Sequence, residues 1–191
     1  MQNNLRWMAM SLLLVSFPAY ATTVMPLDAE GLARHSTVVG VAQVLRTRSV
    51  RTPKAGWVTL VELEFYQGLK GVKAGENLLI QTAGAILPNG MELRVDGAPR
   101  FAEGQLVLGF FHEHGGVLKP TAMSLGVLRV INDSQGVFRV VQQTDGLTFA
   151  RVPNGPEPLV VPSQPLDDVV DMFEDIIAAQ GGAPVGDGVA R

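Results

Sequence analysis

His112, Glu113 and His114 form the one cluster in this chain whose residue types and spacing point to chemistry. Two imidazoles at i and i+2 on an extended strand project to the same face, so both can reach one metal ion. A metal-binding protein or a metal-dependent hydrolase is therefore a candidate reading, provided that a third ligand, His35 or a carboxylate, arrives from elsewhere in the fold. The plainer reading is a polar strand end, because Gly115-Gly116 follows at once and turns the chain. The chain has only three histidines, and no Gly-x-Ser-x-Gly marks a nucleophilic serine. It has no cysteine, which excludes thiolate catalysis, cysteine-held zinc and disulfides. No cofactor is expected, and an enzyme is the less favoured class.

Two groups of charges are candidate binding surfaces. Arg94, Asp96 and Arg100 surround Gly97-Ala98-Pro99. They read either as a ligand loop at the mouth of a barrel or as an ion pair that fixes an irregular connection. Arg46, Arg48, Arg51 and Lys54 make a local basic patch between the first two strands. Arg48 and Arg51 would there meet an acidic partner, unless the patch is a solvated hairpin whose charges discourage edge pairing. Trp57 stands on a predicted strand and is expected in the core. The net charge of −3 and the lack of any strong Lys/Arg cluster argue against nucleic acid and anionic lipid as partners.

The elements that must position these residues follow from periodicity. Residues 27–36 predict a short helix, with Asp28 and Glu30 suiting the dipole at its start. Residues 37–48 favour a strand through Val39 and Val41, and residues 49–56 read as a basic turn broken by Pro53 and Gly56. Residues 57–66 are the clearest strand: Glu62 and Glu64 mark the wet side, so Val61, Leu63 and Phe65 face the core. Residues 76–82 predict the next strand, with Leu78 and Ile80 inward. Asn89-Gly90 is the strongest hairpin signal, inside a loop over 83–90, and residues 91–95 alternate again. The unbroken apolar run 105–112 suits a strand covered on both faces.

Gly126-Val127-Leu128-Arg129-Val130 is echoed by Gly136-Val137-Phe138-Arg139-Val140, which reads as two antiparallel strands. Asp145-Gly146 turns into a last strand over 147–152. Five prolines over 153–165 predict an extended linker. Leu166, Val169, Val170, Phe173, Ile176 and Ile177 make one apolar stripe of a helix over 166–180, capped by Ser163 or Gln164 and stopped by Gly181. The tail over 181–191 is expected to be disordered. Turn signals every eight to twelve residues argue for a mainly β domain over 22–152, a closed or nearly closed barrel or a sandwich.

The first 21 residues read as a leader. Arg6 supplies a positive start, residues 7–18 are almost wholly apolar, and Ala19-Tyr20-Ala21 offers the small-x-small site of signal peptidase, with the cut after Ala21. The run is too short for a spanning helix, and no second long apolar run follows it. The expectation is export through a Sec-type signal to the periplasm or the medium. Without Arg6, the 15 basic residues fall to 14 against 18 acidic ones, a weakly acidic surface.

Gly68-Leu69-Lys70-Gly71, then Gly97-Ala98-Pro99-Arg100-Phe101-Ala102-Glu103-Gly104-Gln105 before an apolar strand, then Gly136-Val137-Phe138-Arg139-Val140, resemble a group of uncharacterised exported bacterial proteins. That group carries a Leu-Lys-Gly turn and a Gly-x-Pro-x-Phe-x-x-Gly motif. The likeness spans residues 27–151. Two departures stand out: Gln105 replaces the usual acid after the glycine, and Thr82-Ala83-Gly84 stands where Pro-Gly-Gly is usual. The resemblance implies a small antiparallel barrel, closed or partly open and similar to the oligonucleotide-binding (OB) type, with a short N-terminal helix and a C-terminal amphipathic helix. It transfers no catalytic residue. The function it implies is that of a non-enzymatic β-barrel protein that binds another protein or an envelope component. A secreted protease inhibitor is an alternative, since such inhibitors also use this barrel; Thr22 cannot supply the N-terminal cysteine with which the metalloprotease type engages its target.

Overall fold

The structure is a computed structural model that describes residues 22–144, 147–150, 153 and 155–181. In chain order the elements are β1 (Thr22–Val24), α1 (Ala29–His35), β2 (Val38–Thr52), β3 (Gly56–Lys70), β4 (Asn77–Ala83), β5 (Ala85–Ile86), β6 (Glu92–Leu93), β7 (Leu106–His114), β8 (Val117–Pro120), a 3-10 turn (Met123–Gly126), β9 (Val127–Asn132), β10 (Phe138–Gln142), β11 (Leu147–Phe149), β12 (Gln164–Pro165) and α2 (Leu166–Ala179).

The fold is mainly β. One eight-stranded sheet runs in the order β12-β10-β9-β7-β2-β3-β4-β8. It is partly ringed: β8 lies antiparallel to β7 and also meets β4 through the parallel pair Ile80–Leu118. The expectation of purely antiparallel pairing is corrected by that contact. It is corrected again by β1 and β11, which pair in parallel in a small separate sheet. The 3-10 turn returns the chain from β8 to β9, and β9 pairs antiparallel with both β7 and β10. The echoed pentapeptides thus lie side by side, Val130 against Val140.

Period-two alternation sends side chains to two cores. Inside the ring lie Val38, Ala42 and Val44 of β2, Val61, Leu63 and Phe65 of β3, Ile80 of β4, and Val107 and Phe111 of β7. Outside it, Val39, Val41, Leu108 and Phe110 pack under the two helices. The run 105–112 reads as continuously apolar because β7 is buried on both faces. Gly40 and Gly109 are paired directly across the inner face. A Cβ on Gly40 would stand 2.4 Å from the Gln67 carbonyl oxygen, and one on Gly109 2.4 Å from the Phe111 ring. The space they leave admits Phe65 and Phe111, whose rings meet edge-on at 6.4 Å.

The helices close the outer core. Asp28 is the N-cap of α1 and accepts from Gly31 N at 2.7 Å. At the other end Lys70 donates to the Ala33 carbonyl at 2.8 Å, while Leu69 is buried beneath. Gly71 adopts a positive φ of 64°, and a Cβ there would meet the Thr37 carbonyl oxygen at 2.1 Å. The Gly-Leu-Lys-Gly sequence therefore joins β3 to α1. Along α2, Val169, Val170, Phe173 and Ile177 are buried, with the Phe173 ring 4.5 Å from that of Phe110.

Several sequence expectations need correcting. The basic segment 49–56 is strand at both ends; β2 runs to Thr52 and β3 starts at Gly56, because these two 15-residue strands stay paired beyond the ring. β3 likewise continues past Tyr66 to Lys70, where Val39 of β2 still pairs with it. Trp57, near the tip of that hairpin, is half-buried rather than in the core. The strand expected over 91–95 shortens to β6, and the loop over 83–90 contains β5; the two form the hairpin that Asn89-Gly90 announces.

The segment 153–165 does more than link. Val161 is buried, its N–H donates to Gln142 at 3.1 Å, Leu159 N donates to Leu27 O at 2.7 Å, and β12 pairs with β10. Pro165, not Ser163 or Gln164, holds the N-cap position of α2; the Ser163 hydroxyl instead accepts from Arg139 at 3.0 Å. The expected leader, the expected turn at Asp145-Gly146 and the expected tail beyond Gly181 fall outside the described residues. No helix among the described residues is long and apolar enough to cross a membrane.

Candidate functional site

A β-bulge decides what the end of the ring presents. Val44 pairs with Leu63 and Arg46 with Glu62, so Leu45 is an extra residue with no partner on β3. An inserted residue reverses the alternation beyond it. Val44 faces the interior before the bulge, and Thr47 and Ser49 take up that face after it. Arg46 and Arg48 are thereby exposed on the other side. Register then lays out two rows across β2, β3 and β4: Thr47–Val61–Ile80, and beyond it Ser49–Thr59–Thr82. The apolar interior thus ends in a row of three hydroxyls.

The chain between β4 and β7 folds over this row. Ile86 N donates to the Ser49 hydroxyl at 2.9 Å, and the Thr59 hydroxyl donates to Gly84 O at 2.9 Å. A cleft of about 420 Å³ is left between the hydroxyl row, the β5–β6 hairpin and residues 94–101, a volume in the range of small-ligand sites. Its rim carries exposed apolar side chains, Ile86 and Leu93 among them. The 3-10 turn supplies one more wall. Ala122 and Met123 hold φ of 50° and 61°, a left-handed pair that non-glycine residues adopt only against strain. Ser124 follows; its N–H donates to Gly97 O at 2.9 Å. The residue borders the cleft and is 3% exposed; its hydroxyl is buried, with no hydrogen-bond partner among the described residues.

Arg94, Asp96 and Arg100 all line this cleft. Arg94 Nε donates to Glu92 at 3.1 Å. Arg100 is exposed and makes no ion pair among the described residues. Gly97 and Pro99 are buried, so the motif residues between them and Phe101 form the wall that holds Arg100. Of the basic patch, Arg46 pairs with Glu62 at 2.8 Å. Arg48 and Arg51 are exposed and lie outside the cleft; Arg51 pairs across β3 with Trp57, one row beyond the hydroxyls.

The paired imidazoles sit elsewhere, at the end of β7. His112 pairs with Lys119 and His114 with Val117. Burial lowers the His112 pKa below its ordinary value, and the charges of His114 and Lys119 lower it further. His35, the suggested third ligand, is exposed at the C-terminal end of α1. Among the described residues no three His, Asp or Glu side chains are grouped to hold a metal ion. Lys119 beside His112 also opposes a cation there.

Sequence reasoning missed Ser124, Ser49, Thr59 and Thr82 as site residues. Their only signal is the high density of Ser and Thr on the inner face, visible once the register is known. Comparison with protein-family models, with curated proteins and with solved structures returns no significant match.

Proposed function

We propose that this chain is an exported, non-enzymatic binding protein built on an OB-like barrel, and that its partner, a protein or an envelope component, docks at the mouth of the ring. The ring of β7, β2, β3, β4 and β8 supports the barrel reading, since five strands closed through one parallel contact fit a partly open barrel of that type. The leader supports export.

The observation that carries the binding role is the composition of the cleft. It is concave, rimmed by exposed apolar side chains and lined by hydroxyls, and none of the chain's three histidines lines it. Two of the hydroxyls are committed to backbone hydrogen bonds. A serine without a histidine in its cleft lacks the base most often used to activate it, whereas such a pocket suits recognition.

The test places a photo-crosslinking residue at Leu93 on the rim, with Asp171 on α2 as the control position, in the producing cell. The expected result is an adduct of one discrete mass from Leu93 and none from Asp171. Equal labelling from both positions, or none from Leu93, overturns the proposal. N-terminal sequencing of the protein recovered outside the cytoplasm should begin at Thr22; recovery only inside the cytoplasm with an intact leader overturns export.

A further inference from the structure

We infer that the cleft takes a neutral saccharide, held by the hydroxyls of Thr47, Ser49, Thr59 and Thr82. The inference rests on the binding role above and names the chemistry of the same site: the envelope component is a glycan.

The floor of the cleft keeps hydrogen-bonding capacity of both kinds. Ser49 accepts from Ile86 N, which leaves its own proton free to donate. Thr59 donates to Gly84 O, which leaves its lone pairs free to accept. Thr47 and Thr82 line the cleft and make no side-chain hydrogen bond among the described residues. Thr82 is only 6% exposed, yet its hydroxyl is not one of the unpartnered polar atoms sealed from solvent, so its remaining surface opens onto the cleft. A row of half-used hydroxyls is matched by groups that both donate and accept. A carboxylate only accepts and an ammonium only donates, whereas a ligand hydroxyl does both.

Charge and geometry narrow the class. Glu92 and Arg94 pair with each other at 3.1 Å, and Asp96 is also engaged within the protein, so the floor calls for no ion. Ser49, Thr59 and Thr82 stand in one line across three strands, at an interstrand step of about 4.8 Å. The ladders of β2, β3 and β4 consume the backbone groups between them. An extended peptide is recognised chiefly through a free strand edge, and this floor offers none. A pyranose instead carries hydroxyls around its rim at comparable separations. Its C–H faces would lie on Ile86, Leu93 and Phe101, the apolar part of the lining. The volume of about 420 Å³ suits a mono- or disaccharide.

The wall opposite the hydroxyls is fixed in place. Gly84 holds a φ of 90°, and a Cβ there would stand 2.9 Å from Leu93 O. The β5–β6 hairpin therefore closes backbone against backbone, and the cleft is formed before a ligand arrives.

The experiment follows amide NMR shifts of the purified protein with four neutral probes: cellobiose, maltose, N,N′-diacetylchitobiose and a tetra-alanine capped at both ends. The expected result is saturable binding of at least one saccharide, with shifts centred on Thr47, Ser49, Thr59 and Thr82, and binding of the capped peptide about tenfold weaker or absent. Thr82→Val keeps the side-chain shape and removes the hydroxyl. It should weaken the bound saccharide about tenfold without lowering the thermal midpoint, since no bond within the protein is lost. Thr47→Val should weaken it several-fold, and it decides by the same criterion if Thr82→Val does not fold. Thr148→Val, exposed on β11 and outside the cleft, should change neither reading. Affinity should vary less than about twofold between about 0.05 and 0.5 M salt, because no ion is recognised.

No saturable shift at the cleft with any of the saccharides up to about 10 mM, a capped peptide bound as tightly, a steep loss of affinity with salt, or affinity unaffected by Thr82→Val overturns the inference. A Leu93 adduct that forms in the cell while no saccharide binds the purified protein overturns the saccharide and leaves the binding role standing. No adduct together with no saccharide binding sinks both.

Discussion

The inner face of the ring behaves differently at its two ends. Around Gly40 and Gly109 it is filled: backbone oxygens and phenyl rings approach so closely that no Cβ fits, and Phe65 and Phe111 are fully buried. A few residues along the same strands, past the Leu45 bulge, the same face carries Ser49, Thr59 and Thr82 and opens into the cleft. β2 and β3 stay paired through both ends, shifted by one residue at Leu45, so the contrast comes from the side chains that this shift turns inward. Tight packing at one end lets the other forgo packing and present hydrogen-bonding groups.

Substitutions at the two ends test that division. Phe111→Ala should cost the most, about 3–5 kcal/mol in urea unfolding, because it empties a fully buried ring site. A cost below about 1 kcal/mol would show that the filled end is loosely packed and erase the contrast. Gly40→Ala should lose about 1–3 kcal/mol by the same measurement, since the Gln67 carbonyl it would strike belongs to the paired backbone of β3 and cannot swing away as a side-chain tip can.

At the open end, Thr59→Ala should cost only about 1 kcal/mol, the net worth of its bond to Gly84. Its amide exchange should quicken over residues 84–86 and stay unchanged at Phe111; uniform quickening would mean that the two ends unfold as one unit. The smallest effect lies at the end of β7. His112 should titrate below the ordinary histidine value in NMR, chiefly from burial, and Lys119→Gln should move its midpoint up. A depressed midpoint means that the unfolded chain binds the proton more readily. The corresponding stability is held above the ordinary value of about 6.5 and lost as pH falls through the folded one. A midpoint above 6.5 would contradict the packing drawn around that ring.

Elements that bury a face locally were legible in the sequence. Glu62 and Glu64 flanking Val61, Leu63 and Phe65 announce β3 because one strand face is wet and the other dry. The Asn89-Gly90 and Gly115-Gly116 turns announce their hairpins because both require positive φ, which Gly90, Gly115 and Gly116 adopt. Arg94, Asp96 and Arg100 could be picked out as charges on an irregular connection, since Gly97 and Pro99 between them break a strand; that this connection borders a cleft could not. What depends on distant register was hidden. Nothing local shows that Leu45 is bulged, so the hydroxyl row could not be seen. Nor does the sequence show that Ala122 and Met123 turn left-handed to bury Ser124. Five prolines argue for an exposed linker, yet tertiary packing pulls Val161 into the outer core and pairs Gln164 with Val140.

The outer core is completed by residues near the end of the described chain: Val161, Val169, Val170, Phe173 and Ile177 cover Val39, Val41, Leu108 and Phe110. During synthesis every strand of the ring leaves the ribosome before this cover exists. Until α2 emerges, β2 and β7 expose an apolar outer surface that can attract chaperones or other nascent chains. Final assembly is thus timed by the last helix, and a chain truncated before Leu166 would close its ring and still present a sticky outer wall.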